Sequence, residues 1–235
     1  MKKYDFSEFK PEVGAYRATL AVKRLRKKRR IKELENYIVK CPKSIVRYCR
    51  LIKERWEEAE QVLLQKGSAH DLYEYCYYVL NNTWKEAEHI IIKDRRSSFA
   101  YAKNLLKKRW PEAEKIIIEQ EIKLIKQETK DDSFFSYDYT FLEYFEHFFE
   151  ERWIEAEEIF NSRSEFILSY FKKLETVPEE MHNKMICYSL SRNEEDKENA
   201  KEYLEEISEN NKKMLRRLKN FDPNITIKEL MEKLK

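Results

Sequence analysis

Histidines are the side chains of this sequence best suited to acid–base or metal chemistry, and the chain has four of them. Glu86 and His89 have the i, i+3 spacing of a helix that supplies ligands to a carboxylate-bridged di-iron centre. Such a centre needs a second copy of the pair and further glutamates on facing helices. The other three tryptophan-containing segments carry no histidine at the position of His89. We therefore expect ordinary helix surface there and no metal site.

The cysteines offer little more. His182 and Cys187 could be a base and a nucleophile, but five residues apart on a helix they point to different faces. The chain has four widely spaced cysteines and no Cys-x-x-Cys pair, which predicts buried, reduced thiols, Cys187 among them. With only two glycines there is no phosphate-binding loop. The sequence predicts no enzyme, no cofactor and no small-molecule substrate.

The strongest pattern is a repeat of the form Trp-x-Glu-Ala-Glu. It contains all four tryptophans, which lie 28, 26 and 43 residues apart: Trp56, Trp84, Trp110 and Trp153. Apolar residues recur at fixed offsets on both sides of each tryptophan, which is typical of two short helices per repeat. Pro111 favours a helix start directly after Trp110, since proline suits the first helical position. The glutamates then lie in the first turn, where an arginine before the tryptophan could pair with them.

These repeats predict an all-α fold, an α-solenoid of short two-helix repeats with a period of about 25–28 residues. Degenerate repeats flank the clear ones: Ile31 takes the tryptophan position in one, and Val177–Met181 and Lys197–Lys201 resemble the motif. Thr226 opens a capping-box pattern for a terminal helix. We expect one domain over residues 1–235, composed of a basic N-terminal cap (1–44), clear repeats (45–165, with an insertion near 119–140) and degenerate repeats with C-terminal helices (166–235).

The run from Lys108 to Glu114, Lys-Arg-Trp-Pro-Glu-Ala-Glu, resembles the Trp-Pro-Glu-Ala-Glu helical repeats of largely uncharacterised bacteriophage proteins. The resemblance covers about residues 45 to 165, and only the third repeat keeps the proline. It implies a phage-like origin and an α-solenoid whose motif residues are scaffold. For a phage protein of this kind, it also implies a role as a host-directed inhibitor or counter-defence adaptor.

A basic run near the N-terminus is the first candidate binding site. Eight of the ten residues 23–32 are cationic, and residues 1–50 carry 16 Lys/Arg against 5 Asp/Glu. A stripe of Ala18, Ala21, Val22 and Leu25 could anchor this helix while its cations face a nucleic-acid backbone or an acidic protein. The alternative is a solvated cationic face. The candidate residues are Lys23, Arg24, Arg26, Lys27, Lys28, Arg29 and Arg30.

The insertion between Trp110 and Trp153 is the second candidate site. It contains an acidic and aromatic segment, and insertions in solenoids often form loops on the binding face. Aromatic residues in such a loop are suitable anchors for a protein partner. The alternative is that they pack beneath the insertion. The candidate residues are Asp131, Asp132, Phe134, Phe135, Tyr137 and Tyr139.

The function that the sequence favours is therefore binding of another macromolecule, with a protein as the leading partner. The alternative is an RNA- or DNA-binding protein that uses the basic run. The longest apolar run is too short for a membrane span, and the first residues contain no apolar signal segment. We therefore expect a soluble protein in the cytoplasm, or in the host cytoplasm if a phage encodes it.

Overall fold

The chain folds into α-helices. A computed structural model describes residues 5–25, 29–128, 140–174, 178–188 and 193–221. These residues form thirteen α-helices and no strand, which confirms the predicted all-α class. None of the helices they contain is both long and apolar enough to cross a membrane. The chain divides into two compact units, residues 1–148 and 149–235, and the expectation of one continuous repeat domain stays a prediction.

The first unit contains nine described helices in two layers. They are α1 (Pro11–Leu25), α2 (Lys32–Ile38), α3 (Pro42–Ile52), α4 (Glu57–Lys66), α5 (Ala69–Tyr75), α6 (Lys85–Ile91), α7 (Arg95–Tyr101), α8 (Pro111–Glu128) and α9 (Thr140–Phe148). The odd-numbered helices pack side by side in chain order, and α4 packs on α6. Two of the odd helices continue into π-helical turns, Cys76–Leu80 after α5 and Ala102–Leu106 after α7. Each repeat thus adds one helix to each layer.

The second unit contains α10 (Glu157–Phe160), α11 (Ser164–Leu174), α12 (Glu179–Tyr188) and α13 (Glu194–Phe221). A short 3-10 turn, Ile154–Ala156, precedes α10. The segment Lys197–Lys201 lies inside α13, so the suggestion that it is a last repeat junction is wrong. The capping-box pattern at Thr226 lies outside the described residues.

A three-residue cluster, which we call the tyrosine clamp, closes the repeat junctions. In the second junction Arg55 donates two hydrogen bonds to Glu60, at 2.7 and 2.8 Å. The hydroxyl of Tyr75 on α5 donates to the same carboxylate at 2.9 Å and accepts from the backbone N–H of Trp56 at 3.2 Å. Trp56 is the residue before α4 and has no side-chain cap, so the clamp holds this helix start against the following helix.

The clamp recurs along the chain with the same chemistry. Bidentate arginine–glutamate pairs with a tyrosine hydroxyl on the glutamate form three further copies: Arg30–Glu35–Tyr48, Arg109–Glu114–Tyr144 and Arg152–Glu157–Tyr170. In the first copy the tyrosine accepts from the N–H of Ile31 at 2.8 Å, which confirms the degenerate repeat predicted there. The predicted pairing of the arginine with the motif glutamates is also confirmed.

The tyrosines of the first three junctions also contact the tryptophan of the next junction. The ring of Tyr48 lies 5.5 Å from that of Trp56, and the ring of Tyr75 lies 5.7 Å from that of Trp84. Tyr101 and Trp110 repeat this contact at 5.4 Å. The hydroxyl of one tyrosine therefore forms hydrogen bonds at the preceding junction, and its ring packs on the tryptophan of the following junction. Consecutive repeats thus share one residue.

Two junctions depart from the pattern. In the third, Thr83 stands where the others have arginine, yet Tyr101 still donates to Glu88 at 3.2 Å and accepts from the N–H of Trp84 at 2.8 Å. In the second unit, Nδ1 of His182 lies 2.9 Å from the hydroxyl of Tyr203. A histidine on α12 therefore takes the place of the glutamate. His182 lies five residues after Val177, whereas the glutamate lies four residues after the tryptophan, so the alignment that began the motif at Val177 is displaced by one residue.

Candidate functional site

The predicted basic run does not form one helix. Residues 29–31 are not helical and α2 begins at Lys32, so Arg29 and Arg30 do not continue the face of α1. Lys23 and Arg24 are exposed at the end of α1, and Arg29 is exposed as well. Arg26, Lys27 and Lys28 lie outside the described residues. Of the predicted anchoring stripe, Ala18, Ala21 and Val22 are buried, but Leu25 is 37% exposed and the prediction for it is wrong.

Arg30 is part of the scaffold. Its guanidinium forms a clamp with Glu35, at 2.9 Å for each of two hydrogen bonds, and reaches Glu58 at 3.3 Å. It also lies over the ring of Trp56, 5.4 Å from the centroid. Because these contacts use the charge of Arg30 inside the protein, its prediction as a partner-binding residue is corrected.

The predicted insertion begins as helix. Residues 119–128 continue α8, and the carboxylate of Glu121 pairs with the guanidinium of Arg95 at the start of α7, both of them buried. Gln120 donates to the carbonyl of Lys93 at 2.9 Å. The first part of the insertion therefore packs on the repeats. The six candidate residues Asp131, Asp132, Phe134, Phe135, Tyr137 and Tyr139 lie outside the described residues.

The last glutamate of the motif is buried in three of the junctions and is not part of a solvated face there. Glu60 and Glu114 are each only 6% exposed. Burial acts to raise the pKa of Glu35, but hydrogen bonds from Arg30 and Tyr48 outweigh it and leave the pKa below its usual value. Hydrogen bonds to all three carboxylates hold the fold, and the lowered pKa of Glu35 leaves it unsuited to general-acid chemistry.

The cysteines are free, and they differ in exposure. Cys49 and Cys76 are buried as predicted, and burial raises the pKa of each thiol to about 12. Cys187 is exposed, so the expectation that it is buried is wrong. It follows the buried Met185 by two residues on α12, and this spacing places it on the side of the helix that faces away from the core.

A groove between α1 and α3 brings three exposed cations together with an exposed tyrosine. Its volume is about 510 Å³. We call it the Tyr–Arg groove, and it is lined by Tyr16, Thr19, Leu20 and Lys23 of α1 with Arg47, Arg50 and Leu51 of α3. Three of these side chains are cationic, and none of the described residues that line the groove is a carboxylate. Only Lys23 belongs to the predicted binding set.

The two arginines of the groove lie over tyrosine rings. The guanidinium carbon of Arg50 is 3.7 Å from the ring centroid of Tyr78, and that of Arg47 is 5.9 Å from the ring centroid of Tyr16. Tyr78 belongs to the π-helical turn that extends α5. Tyr16 and Tyr78 are 46% and 42% exposed, so both rings remain open to a ligand. Stacking on an aromatic face holds a guanidinium in place without neutralising it.

Tyr78 begins a row of aromatic side chains that runs toward α7. The ring of Tyr77 lies 4.9 Å from that of Tyr78 and is stacked on Tyr73 at 5.8 Å. The hydroxyl of Tyr73 accepts a hydrogen bond from the amide of Asn104 at 2.9 Å. The row therefore extends the groove along the odd-helix layer.

Charge is divided between the two layers of the first unit. Helices α1, α3, α5, α7 and α9, with the π-helical turns, carry nine Lys/Arg and five Asp/Glu, a balance of +4. Helices α2, α4, α6 and α8 carry six Lys/Arg and twelve Asp/Glu, a balance of −6. The acidic excess arises because the motif places its glutamates at the starts of the even helices. The cationic excess of the odd layer, in contrast, takes no part in the clamps.

Sequence reasoning missed this groove because its residues come from separate repeats. Tyr16, Arg47 and Tyr78 are about 30 residues apart, and only helix packing brings them together. A local signal was nevertheless present in α3. Lys43, Arg47 and Arg50 follow one another at i, i+4 and i+7 with no acidic residue in the helix, which places three cations on one face.

No protein-family model matches the chain, and no curated protein or solved structure does either. The likeness to phage repeat proteins stays a resemblance drawn from residues 45 to 165.

Proposed function

We propose that this protein is a non-enzymatic helical-repeat protein that binds an anionic macromolecule on the odd-helix layer of its first unit. The observation that carries the proposal is the Tyr–Arg groove, in which exposed cations lie over exposed tyrosines with no lining carboxylate among the described residues. Cations without an anionic partner inside the fold repel one another, and an anionic ligand would relieve that repulsion. The acidic even layer would repel the same ligand and so orient it.

A partner of this charge is compatible with both classes that the sequence favours. Tyrosine and arginine dominate the energetic centres of protein interfaces, so an acidic protein surface fits the groove. A nucleic-acid backbone fits its cations. If the resemblance to phage repeat proteins is taken as a guide, the protein acts on a host component as an inhibitor or counter-defence adaptor, and the groove is the surface with which it does so.

Retention of the full-length protein on immobilised heparin, a polyanion, tests the proposal. The variant Arg47→Glu with Arg50→Glu is expected to elute at a clearly lower salt concentration than the unchanged protein, because two groove cations become anions. Lys66→Glu with Lys85→Glu is the matched control, since both lysines are exposed on even helices and the change in net charge is the same. Equal loss of retention in the two variants would show that net charge alone governs binding, and the proposal would fail.

A further inference from the structure

We infer that the ligand of the Tyr–Arg groove is a single-stranded nucleic acid, with phosphates on Lys23, Arg47 and Arg50 and bases against the exposed tyrosines. This inference rests on the proposed function and names the class of its ligand. Three features of the groove support it. Its cations are exposed and form no ion pairs within the described part of the chain, its tyrosine rings are exposed, and cations and rings lie next to each other.

The groove cations are available for phosphate. Lys23, Arg47 and Arg50 are all exposed, and none of them forms an ion pair with another described residue. Arg47 and Arg50 lie one turn apart on α3, which is held in the layer by its buried face, including Ile45 and Cys49. The cations therefore project from a rigid element, and phosphate contacts of this kind supply the salt-dependent part of nucleic-acid binding.

The tyrosine rings are exposed, and contacts with neighbouring side chains hold Tyr77 in place. Tyr16, Tyr77 and Tyr78 are 46%, 38% and 42% exposed, more than the other tyrosine, phenylalanine and tryptophan side chains that the structure describes. Tyr77 is stacked on Tyr73, and Tyr73 is tied to Asn104 by a hydrogen bond of 2.9 Å. A base of any sequence can stack on such a ring, because every base has a π-face.

The composition of the groove favours a single-stranded nucleic acid over an acidic protein. The centre of a protein interface is depleted of charged residues and rich in apolar contacts. Three of the seven residues that line this groove are cationic, and its apolar members Leu20 and Leu51 are already half-buried. Cations paired with aromatic rings, Arg47 with Tyr16 and Arg50 with Tyr78, suit a chain that carries both phosphates and bases. A duplex keeps its bases stacked on each other, so the tyrosines could not reach them.

The test is fluorescence anisotropy of the full-length protein with a labelled oligothymidylate of about 20 nucleotides, longer than the site sizes typical of such grooves. A duplex of equal length and a labelled polyglutamate peptide serve as competing probes. Each titration is repeated at several salt concentrations, because the salt dependence counts phosphate contacts. We expect the oligothymidylate to bind most tightly of the three.

Four variants separate the contributions. Arg47→Gln with Arg50→Gln should weaken binding at least about tenfold and reduce the slope of log K against log salt by about 1.4, roughly 0.7 for each lost contact. Tyr78→Leu should weaken binding about fivefold or more with the slope unchanged, as expected for a lost base stack. Lys66→Gln with Lys85→Gln, on the even layer, should change neither quantity. Circular dichroism establishes that each variant is folded, and Arg47→Lys with Arg50→Lys, which keeps both charges, should preserve the slope.

The outcomes distinguish this inference from the proposed function. Tighter binding of polyglutamate than of oligothymidylate, or equal binding of oligothymidylate by the groove variants and the unchanged protein, overturns the inference. In the first case the groove still holds a polyanion, so the proposed function stands. Tighter binding of the duplex rejects the single-stranded ligand. Failure to bind any of the three probes overturns the inference and the proposed function together.

Discussion

The second and third junctions of the first unit share the hydrogen bonds of the tyrosine and differ in the arginine. In both, a tyrosine hydroxyl joins the motif glutamate to the backbone N–H of the tryptophan, Tyr75 in one and Tyr101 in the other. Only the second has the arginine. There Trp56 is 4% exposed, whereas Trp84 of the third junction is only half-buried. The tyrosine is therefore common to both junctions, and of the two the junction with the arginine is closed more completely to water.

The physical reason lies in the charge of the glutamate. A carboxylate can be buried when a bidentate guanidinium neutralises it, and Glu60 with Arg55 is 6% exposed. Without that partner a buried carboxylate loses its hydration uncompensated. Glu88, whose junction has Thr83 in place of the arginine, remains half-buried. Four experiments test this comparison.

The largest effect is expected from the tryptophans. Trp56→Ala should lower the free energy of unfolding by about 3–5 kcal/mol, the usual loss when a buried large aromatic side chain is removed. Trp84→Ala should have a smaller effect because its ring is less buried. Urea unfolding followed by circular dichroism measures both. An equal loss at the two positions would mean that burial of the tryptophan does not depend on the arginine.

Alkaline pH should destabilise both junctions. Burial raises the pKa of Tyr75 and of Tyr101 well above the value of about 10 found in unfolded chains. A raised folded pKa gives stability that is present below about pH 10 and lost as the pH rises through the folded value. Each of the two tyrosines should therefore contribute a loss of about 1.4 kcal/mol by about pH 11. Denaturant midpoints between about pH 8 and pH 11 measure the loss, and a constant midpoint would contradict it.

Removal of a single hydroxyl should distinguish the junctions further. Tyr75→Phe leaves the backbone N–H of Trp56 without its acceptor and one oxygen of Glu60 without its tyrosine donor, at a cost of about 1–3 kcal/mol. Tyr101→Phe should cost less, because water can reach the half-buried Glu88. Tyr77→Phe is the control, since its ring lies on the surface and outside any clamp. A larger loss for Tyr101→Phe than for Tyr75→Phe would show that closure to water does not set the strength of these bonds.

The smallest effect should come from supplying the missing arginine. Thr83→Arg places a guanidinium five residues before Glu88, as in the other clamps, and should raise the thermal midpoint slightly. Thr83→Lys should raise it less, because an ammonium group cannot form two parallel hydrogen bonds to a carboxylate. A larger gain with lysine than with arginine would show that net charge, and not the bidentate geometry, is what the third junction lacks.

The sequence was sufficient to predict the helices and the repeat. The tryptophan spacing, the apolar offsets and Pro111 together predicted the all-α class and the start of α4, α6 and α8 within one residue. The hydrogen bond from the clamp tyrosine to the motif glutamate could not be predicted in the same way, because the number of residues between the two varies. It is 15 residues for Tyr75, 13 for Tyr101 and 30 for Tyr144, since the loop and helix lengths between them differ.

The ends of the helices in the odd layer could not be predicted from the sequence either. Lys53, Asn81 and Lys107 adopt left-handed backbone conformations, with φ of 57°, 48° and 53°, two residues before the start of the next junction. Glycine is the usual residue at such a position, and two of the three are lysines. A lysine in the sequence does not mark such a turn, so only the structure shows that the helix ends there. The groove was missed for a related reason, because its residues meet through packing between repeats.

The ring contact between a clamp tyrosine and the tryptophan of the next junction bears on how the protein can gain or lose repeats in evolution. The block from Arg55 to Asn82 contains one complete clamp. Its loss by recombination would join Glu54 to Thr83 and present the ring of Tyr48 with Trp84 in place of Trp56. Both tryptophans receive a tyrosine ring at nearly the same distance, 5.5 and 5.7 Å, so the new neighbours would fit. Unequal exchange between tandem copies can therefore lengthen or shorten this protein one repeat at a time while the tyrosine–tryptophan contact at the new junction is kept.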